Sequence, residues 1–544
     1  MANTGFLRIF LKRALVLMGS FAIFSCASTQ AEMPRDYIGP QPAPSKQEGM
    51  LQEKDAPPET PVIKDEGPLQ ITVQAAILLA LENNRALKVE KYNPELKRAA
   101  EEEARSEFDP IMTGGYSRLR ERTDHDLRPS GTGVENEINS ELGISQYLPT
   151  GTEIGIGISN QQTWSDLYSD DLYESRLGLS VTQALLKGAS LGYNLAGLRQ
   201  ARLDTNISLY ELRGFAEALV AQVEETYWEY ALAQRQIEIF LESLKLAQQQ
   251  KDEAQEMIKI GYLAESELAA AQAEIALQRE GLINARSNLD KTRLQLLRLM
   301  NPPDAGWWQR EVVLLHEPAI PNVTLDEVDS HVEIAMKMRP DLNQARLQII
   351  QGDLQIVKTK NGLLPKMDFF IDLGKTGYAD SFNRSLRDMD GDSYDIGAGL
   401  SLQFPPVNRQ ARAQYHASLI NRSQAEESLK NLDQLVQVDV RSAYIEVNRA
   451  KEQIAATAAT MALQEEKARI EREKFRVGKS TSLLVAQAQR DLLSSRIAEI
   501  RATINYLTAL IELYRLEGSL LERRGIMAPG SKPAEYRTTY QENQ

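Results

Sequence analysis

Gly478-Lys479-Ser480-Thr481 reproduces the last four letters of a phosphate-binding loop, in which backbone amides and a lysine cradle a nucleoside triphosphate. That chemistry needs a second glycine five positions before the Gly-Lys pair, where Glu473 stands. Without it no ring of amides closes around a phosphate. The loop would also have to join a strand to a helix, whereas helical periodicity runs on both sides, from Gln464 to Phe475 and from Leu483 to Leu520. The stretch reads as a turn between two helices. Other candidate chemistry is no better assembled. His125, His316, His331 and His416 share no ligand spacing, and the single cysteine, Cys26, offers them no thiolate set. "DMDGD", Asp388 to Asp392, hints at calcium, but Gly391 precedes the third aspartate, out of register with an EF-hand loop. A solvated acidic loop is the better reading. With no acid, base, nucleophile or metal set converging, we expect no enzyme, no metal and no cofactor.

The elements that hold these residues point to the cell envelope. Arg8, Lys12 and Arg13 precede an apolar run from Ala14 to Phe24, the layout of a secretory signal. The run is too short to span a membrane as a mature helix. Ile23-Phe24-Ser25 before Cys26 has the form of a bacterial lipobox, which makes residues 1–25 a lipoprotein signal and Cys26 a lipidation site. The alternative is cleavage beside Ala31, which discards the cysteine. Either way the mature chain leaves the cytoplasm with no internal disulfide. Residues 26–68, rich in Pro, Glu and Lys, read as a disordered periplasmic tether, and the fold begins near Leu69. A net charge of −14 argues against nucleic acid as a partner.

From there the chain says the same thing twice. "ALENNRAL" (Ala80 to Leu87) matches "AMKMRPDL" (Ala335 to Leu342), and "FDPIM" around Pro110 matches "LLPKM" around Pro365, both at an offset of 255. "TYWEYALAQRQI" matches "AYIEVNRAKEQI", pairing Tyr227 with Tyr444, and "KIGYLAESELAAAQAE" matches the stretch around Gly478, pairing it with Gly261, both at an offset of 217. Each half is thus a helix, a proline, an extended region, a long helix, a glycine turn and a returning helix, a duplicated unit. The change of offset leaves 38 extra residues in the first half, between Pro110 and Tyr227, about the size of a hairpin with its loop. The first repeat spans 69–300, a connector 301–322, the second repeat 323–521 and a tail 522–544.

The extended regions alternate. Met367, Phe369, Ile371 and Leu373 share one face, as do Ile396, Ala398, Leu400, Leu402 and Phe404, while Asp395, Gly397, Gly399, Ser401 and Gln403 share the other. A soluble sandwich and a lipid-bounded barrel both alternate so; secretion without a transmembrane helix favours the barrel. So few strands cannot close alone, and sister chains have to complete the wall. The helices are long. No proline interrupts about Leu195 to Ile260, enough for on the order of 90 to 100 Å. Coiled-coil seams are marked by Leu268, Ile275, Leu282, Leu289 and Leu296 at intervals of seven, and by Leu493, Ile497, Ile500, Ile504, Leu507, Ile511 and Tyr514 at four and three. The fold class is mainly α with a membrane β-barrel.

Taken in order, "ITVQAAILLALENN", "AMKMRPDL", "LLPKMDF", the strand exits "LSVTQALLKG" and "LSLQFPPVNRQARA", and the paired glycine turns resemble the outer-membrane efflux protein family, the TolC-like exit ducts. The resemblance covers roughly Leu69 to Leu521. It implies a homotrimer whose strands pool into one barrel in outer-membrane lipid and whose helices form a periplasmic tunnel. Members usually contribute four strands per chain; the insertion around Asn136 to Ser175 supplies two more, or forms an extracellular or periplasmic flap. The resemblance also implies a periplasmic adaptor gripping the tips, here Ile260-Gly261-Tyr262 and Val477-Gly478-Lys479, and an inner-membrane pump that provides the energy for transport. Some relatives close the tip with acidic residues six and nine positions after the second glycine and a Tyr and Arg that pair across helices. This chain has Leu484 and Gln487 at the first pair of positions and Phe475 and Ser480 at the second, so that gate does not carry over. An apolar constriction of Phe475 and Leu484 is expected instead, with Glu265 and Glu267 as acidic lining. The competing reading is an envelope-spanning coiled-coil lipoprotein without a pore.

Overall fold

The computed structural model describes residues 67–124, 132–165, 171–302, 305–321 and 324–534. The signal, Cys26, almost all of the tether, His125 and the end of the tail lie outside the described residues.

Each half opens with helices whose ends fall at matching positions, and the first two of the first half are capped by side chains. In the first, β1 (Leu69–Ile71) leads into α1 (Val73–Asn83), α2 (Arg85–Glu90) and α3 (Tyr92–Arg105). Thr72 accepts a hydrogen bond from the Ala75 amide at 3.1 Å and Asn84 one from Leu87 at 3.1 Å, satisfying amides that the first turns leave free. A second helix pair and a strand start the other half, with boundaries displaced by 255 as the sequence requires. Val73 and Asn83 become Val328 and Met338, Arg85 becomes Pro340, and the strand Ile111–Asp124 becomes Lys366–Ala379. The Tyr227 hydroxyl donates to the Ile71 carbonyl at 3.2 Å and the Tyr444 hydroxyl to the Asp326 carbonyl at 3.3 Å, so tyrosines offset by 217 hold carbonyls offset by 255.

The 38 additional residues are a β-hairpin. In the first half β2 (Ile111–Asp124), β3 (Thr132–Leu148), β4 (Thr152–Ser165) and β5 (Leu172–Ala184) run in succession, followed by the short helix α4 (Leu191–Asn194) and the long α5 (Ala196–Lys259) and α6 (Ser266–Met300). The connector contributes β6 (Val312–Leu314), parallel to β1, and Trp307 packs on the helical core, as a packing anchor would. The second half supplies α7 (Val328–Met338), α8 (Pro340–Asn361), β7 (Lys366–Ala379), the short α9 (Phe382–Asp388), β8 (Tyr394–Gln403), α10 (Arg409–Arg476), α11 (Ser482–Glu517) and α12 (Leu520–Arg523). Six strands form one antiparallel sheet in the order β2-β3-β4-β5-β7-β8. This resolves the alternatives left by the sequence: the insertion adds two strands to the sheet.

Register shows why one face is apolar. Met112, Ile144, Ile156, Leu179, Leu373 and Ile396 are successive partners across all six strands. The adjoining row, on the opposite face, is Ile111, Ser145, Gly155, Ser180, Asp372 and Gly397. None of the buried clusters among the described residues includes a residue of this sheet, so its apolar face has no layer packed on it. Among the described residues only α9 lies on that face, at the end far from the long helices: Ser385 bonds Ser175 hydroxyl to hydroxyl at 2.7 Å, and a Cβ on Gly377 would meet the Ser385 carbonyl at 2.1 Å.

α5, with 64 residues, and α10, with 68, reach about 100 Å each. They return as α6 and α11, giving two helical hairpins. The expected seams are partly the observed ones. Ile275, Leu282 and Leu296 are buried, as are Ile504, Leu507, Ile511 and Tyr514, while Leu493, Ile497 and Ile500 are only half-buried and Leu492, Ser495 and Ala502 take the interior. α11 packs on α5 and α6 as well as on α10, so its interior is wider than a single stripe. Beyond α12 the chain folds back: Arg524 grips Glu224 through two bonds of 2.6 Å, and Tyr210 donates to the Lys532 carbonyl at 2.7 Å.

Candidate functional site

The two hairpin tips meet at the end of the molecule away from the sheet and are built alike. At the first, the Gly261 amide donates to Ile258 at 3.0 Å and Tyr262 to Met257 at 2.8 Å; at the second, Gly478 donates to Phe475 at 2.9 Å and Lys479 to Lys474 at 2.8 Å. Both are the paired bonds that end a helix on a left-handed residue. Gly261 has φ +79° and Gly478 φ +73°, a region that side chains with a Cβ rarely enter. The glycines therefore reverse the chain. Gly478 also lies under the Tyr262 ring, which a Cβ would approach at 3.3 Å, whereas a Cβ on Gly261 meets nothing.

What the tips present is apolar. Ile260, Tyr262 and Val477 are 74 %, 67 % and 62 % exposed, and Lys479 stands exposed beside them. Ile260 and Val477 are equivalent residues of the two repeats, so the tip shows one aliphatic side chain from each half.

Beneath them the expected constriction residues separate. Phe475 is 3 % exposed and packs with Ala254, Val485, Met257 and Leu263 between the hairpins, while Leu484 is 47 % exposed. The two do not share a surface in the single chain. Glu265 is exposed, but Glu267 accepts a hydrogen bond from the Ser482 amide at 2.8 Å. A carboxylate there complements the positive end of α11 from the opposite hairpin. Thr481 completes that cap from its own hairpin, its side chain accepting from Leu484 at 3.4 Å. The Lys474 ammonium, 2.6 Å from Glu471, together with Ser480 donating to the same carboxylate at 2.9 Å, holds the Glu471 carboxyl below its ordinary range. Gln487 is exposed, one turn beyond Leu484.

Sequence reasoning did not find Glu471, Glu267 as an interhairpin cap, or the Arg476–Glu253 contact of 3.5 Å between the hairpins. The capping pattern Thr481-Ser482-Leu483-Leu484 was the available signal for the first turn of α11; the cross-hairpin partners leave no trace in local spacing.

Residues 76–302 and 332–519 match the outer membrane efflux protein family. The chain belongs to that family. Its curated relatives include a probable efflux pump outer membrane protein, TtgC of Pseudomonas putida, 23 % identical over 83 % of this chain and 84 % of the relative. The outer membrane protein TolC of Escherichia coli is 25 % identical over 285 residues, half of this chain and 56 % of TolC. Among solved structures, the Campylobacter jejuni CmeC outer membrane channel superposes with a TM-score of 0.61 at 15 % identity, over 91 % of this chain and 96 % of CmeC. The fold is therefore that of the family: a duplicated helix, strand and helical-hairpin unit in which strands and tips occupy opposite ends.

Proposed function

We propose that the protein is the outer-membrane exit duct of an efflux or secretion assembly, through which substrate passes without bond-making. The observation that carries the reading is the six-stranded sheet with two open edges and an apolar face that only α9, among the described residues, covers at its far end, set at one end of helices about 100 Å long. Buried in water that face would be costly; in lipid it is the required surface. Both edges are satisfied if β2 of each copy pairs with β8 of the next, and three copies of six strands make an eighteen-stranded wall, wide enough for an aqueous channel. The helices support the same assembly. Leu435, Val438 and Ile445 form an exposed apolar stripe on α10, suited to a neighbouring copy.

Within this reading the tips are the periplasmic docking end. Ile260, Gly261, Tyr262, Val477, Gly478 and Lys479 meet an adaptor, and an inner-membrane pump supplies the energy. Leu484 and Gln487 face the tunnel mouth with Glu265; Phe475, Glu267 and Ser480 hold that mouth in shape. Cys26 carries lipid, and residues 26–68 tether it to the first repeat, 69–300, joined by the connector 301–322 to the second, 323–521. The test is fractionation of membranes followed by planar-bilayer recording of the purified oligomer. Outer-membrane recovery with ion conductance supports the duct; outer-membrane recovery without conductance favours the poreless bridging lipoprotein.

A further inference from the structure

The two open edges of the sheet carry opposite charge at their far ends. On β2, Arg118, Arg120 and Arg122 alternate on the face that bears Met112, since Arg118 and Arg120 are register partners of Ile138 and Asn136, in line with Ile144 and Leu142. The Arg118 guanidinium lies 5.6 Å from the Trp164 ring centroid, while Arg120 and Arg122 are exposed and have no ion pair among the described residues. Next to β8 lies the acidic loop. Asp388 accepts a hydrogen bond from the Tyr378 amide at 3.0 Å, and Asp390 and Asp392 are exposed and likewise unpaired. The loop is held to the apolar face of the sheet, because α9, which leads into it, packs there through Ser385 on Ser175 and Gly377.

Strand geometry restricts how these edges can meet. β2 runs away from the helical base and β8 returns to it, so β2 of one copy and β8 of the next lie antiparallel. Even-numbered residues face outward on both, and a slip of one residue would turn every apolar side chain of β8 into the lumen. Placing the two base ends level sets Ile111 opposite Gln403. Outward pairs are then Met112 with Leu402, Gly114 with Leu400 and Arg120 with Tyr394, and Arg122 comes level with Asp392 in the loop, two residues before β8 begins. Arg120 sits diagonally to the same carboxylate, within reach of a long side chain.

We infer that Arg122 and Arg120 clasp Asp392 of the adjacent copy, an outward-facing ionic latch that fixes the register in which this six-stranded unit closes. The inference rests on the trimeric reading above. Its occupant is a second copy of this chain. Three observations favour it: unpaired cations and unpaired carboxylates lie on opposite edges, they share one face, and they stand at one height in the register that levels the strand ends. Anionic lipid phosphate is the competing partner for the same arginines.

Two sets of variants of the full chain test it. In the first, Gly114→Cys with Leu400→Cys is oxidised in membranes beside Gly114→Cys with Ala398→Cys and each single variant. The first pair gives a covalent ladder up to trimer; a ladder from the Ala398 pair alone, or none from a chain that still migrates as trimer, overturns the register. In the second, Arg122→Glu and Asp392→Arg each leave roughly threefold less SDS-resistant trimer after heating, and the double variant restores it. Single variants with unchanged trimer overturn the latch. So does a double variant that fails to recover while Arg122→Glu alone sheds phosphate-bearing lipid from the purified protein, which assigns the arginines to lipid. Absence of trimer from the unaltered protein, by contrast, removes the duct reading itself, so the two failures are distinguishable.

Discussion

The two repeats agree at their tips and differ in their strands. At the tips, Gly261 and Gly478 end their helices with the same pair of hydrogen bonds and nearly the same positive φ. In the sheet, the first half contributes four strands and the second two. The difference follows from what each region must satisfy. A tip is a fixed reversal that has to fit the other tip, as Tyr262 fits over Gly478, so an added residue disturbs that fit. An antiparallel meander accepts a whole hairpin, because two strands preserve direction, parity of faces and closure. The two repeats accordingly differ in length in the sheet and match at the tips.

The largest effect expected comes from undoing that asymmetry. Excision of residues 132–165, which removes β3 and β4, leaves four strands per chain and twelve in a trimer. Barrel diameter scales with strand number, so the largest neutral polymer admitted from the outer mouth shrinks by about one third in width. An unchanged cut-off, with folded trimer, shows that the hairpin is not part of the wall.

A charge buried in one half only gives the next effect. Glu217 is 2 % exposed, 3.1 Å from Arg213, and its equivalent in the second half is Gln434. Burial outweighs the attraction of Arg213 and pushes the Glu217 carboxyl up to about 7. A folded-state pKa raised above the unfolded value means that this contribution to stability is complete below about pH 4.5 and is lost as pH rises through about 7. Glu217→Gln removes that loss. Thermal midpoints of the detergent-solubilised protein then vary less between pH 5 and 8, by the equivalent of at most about 3 kcal/mol. Equal pH dependence in both proteins assigns the slope to other groups.

At the tips the comparison sharpens further. Alanine at either glycine costs about 1–2 kcal/mol for the left-handed backbone, and asparagine costs less. Gly478→Ala also displaces the Tyr262 ring, 3.3 Å from the new Cβ, whereas Gly261→Ala meets open space. Amide hydrogen exchange should therefore rise at both tips, with adaptor binding lowered more by Gly478→Ala. Equal losses argue that the turn alone matters and that Tyr262 is not a contact.

Much of this architecture was legible in the sequence because it repeats. Offsets of 255 and 217 located helix ends, strands and tips, since each depends on local capping, alternation or a glycine. The number of strands was left open because a polar alternating segment of that length suits both a hairpin and a flap. The tip chemistry was less legible. Phe475 and Leu484 lie nine residues apart on opposite sides of a reversal, and only the packing of α5 against α11 decides that one is buried and the other exposed. Glu267 looked like lining because nothing near it in sequence names the Ser482 amide as its partner.

The smallest effect is the one that bears most directly on the duplication. Tyr227 and Tyr444 do the same work in the two halves, each holding the carbonyl before the opening helix, yet in different surroundings. Tyr227 is fully buried, and its hydroxyl also accepts from the His316 amide at 3.3 Å; burial raises its pKa. Tyr444 is half-buried with one bond of 3.3 Å. Removing the buried Tyr227 hydroxyl takes the partner from the His316 amide, while the Ile71 carbonyl keeps the Leu315 amide at 3.0 Å, so Tyr227→Phe costs about 1 kcal/mol; water replaces the Tyr444 hydroxyl, and Tyr444→Phe costs about 0.5. Thermal midpoints of the two variants measure the difference. If the repeats were energetically equivalent the costs would match, and a larger loss at Tyr444 would reverse the argument that the first half, clamped by β1 and β6, is the more tightly held.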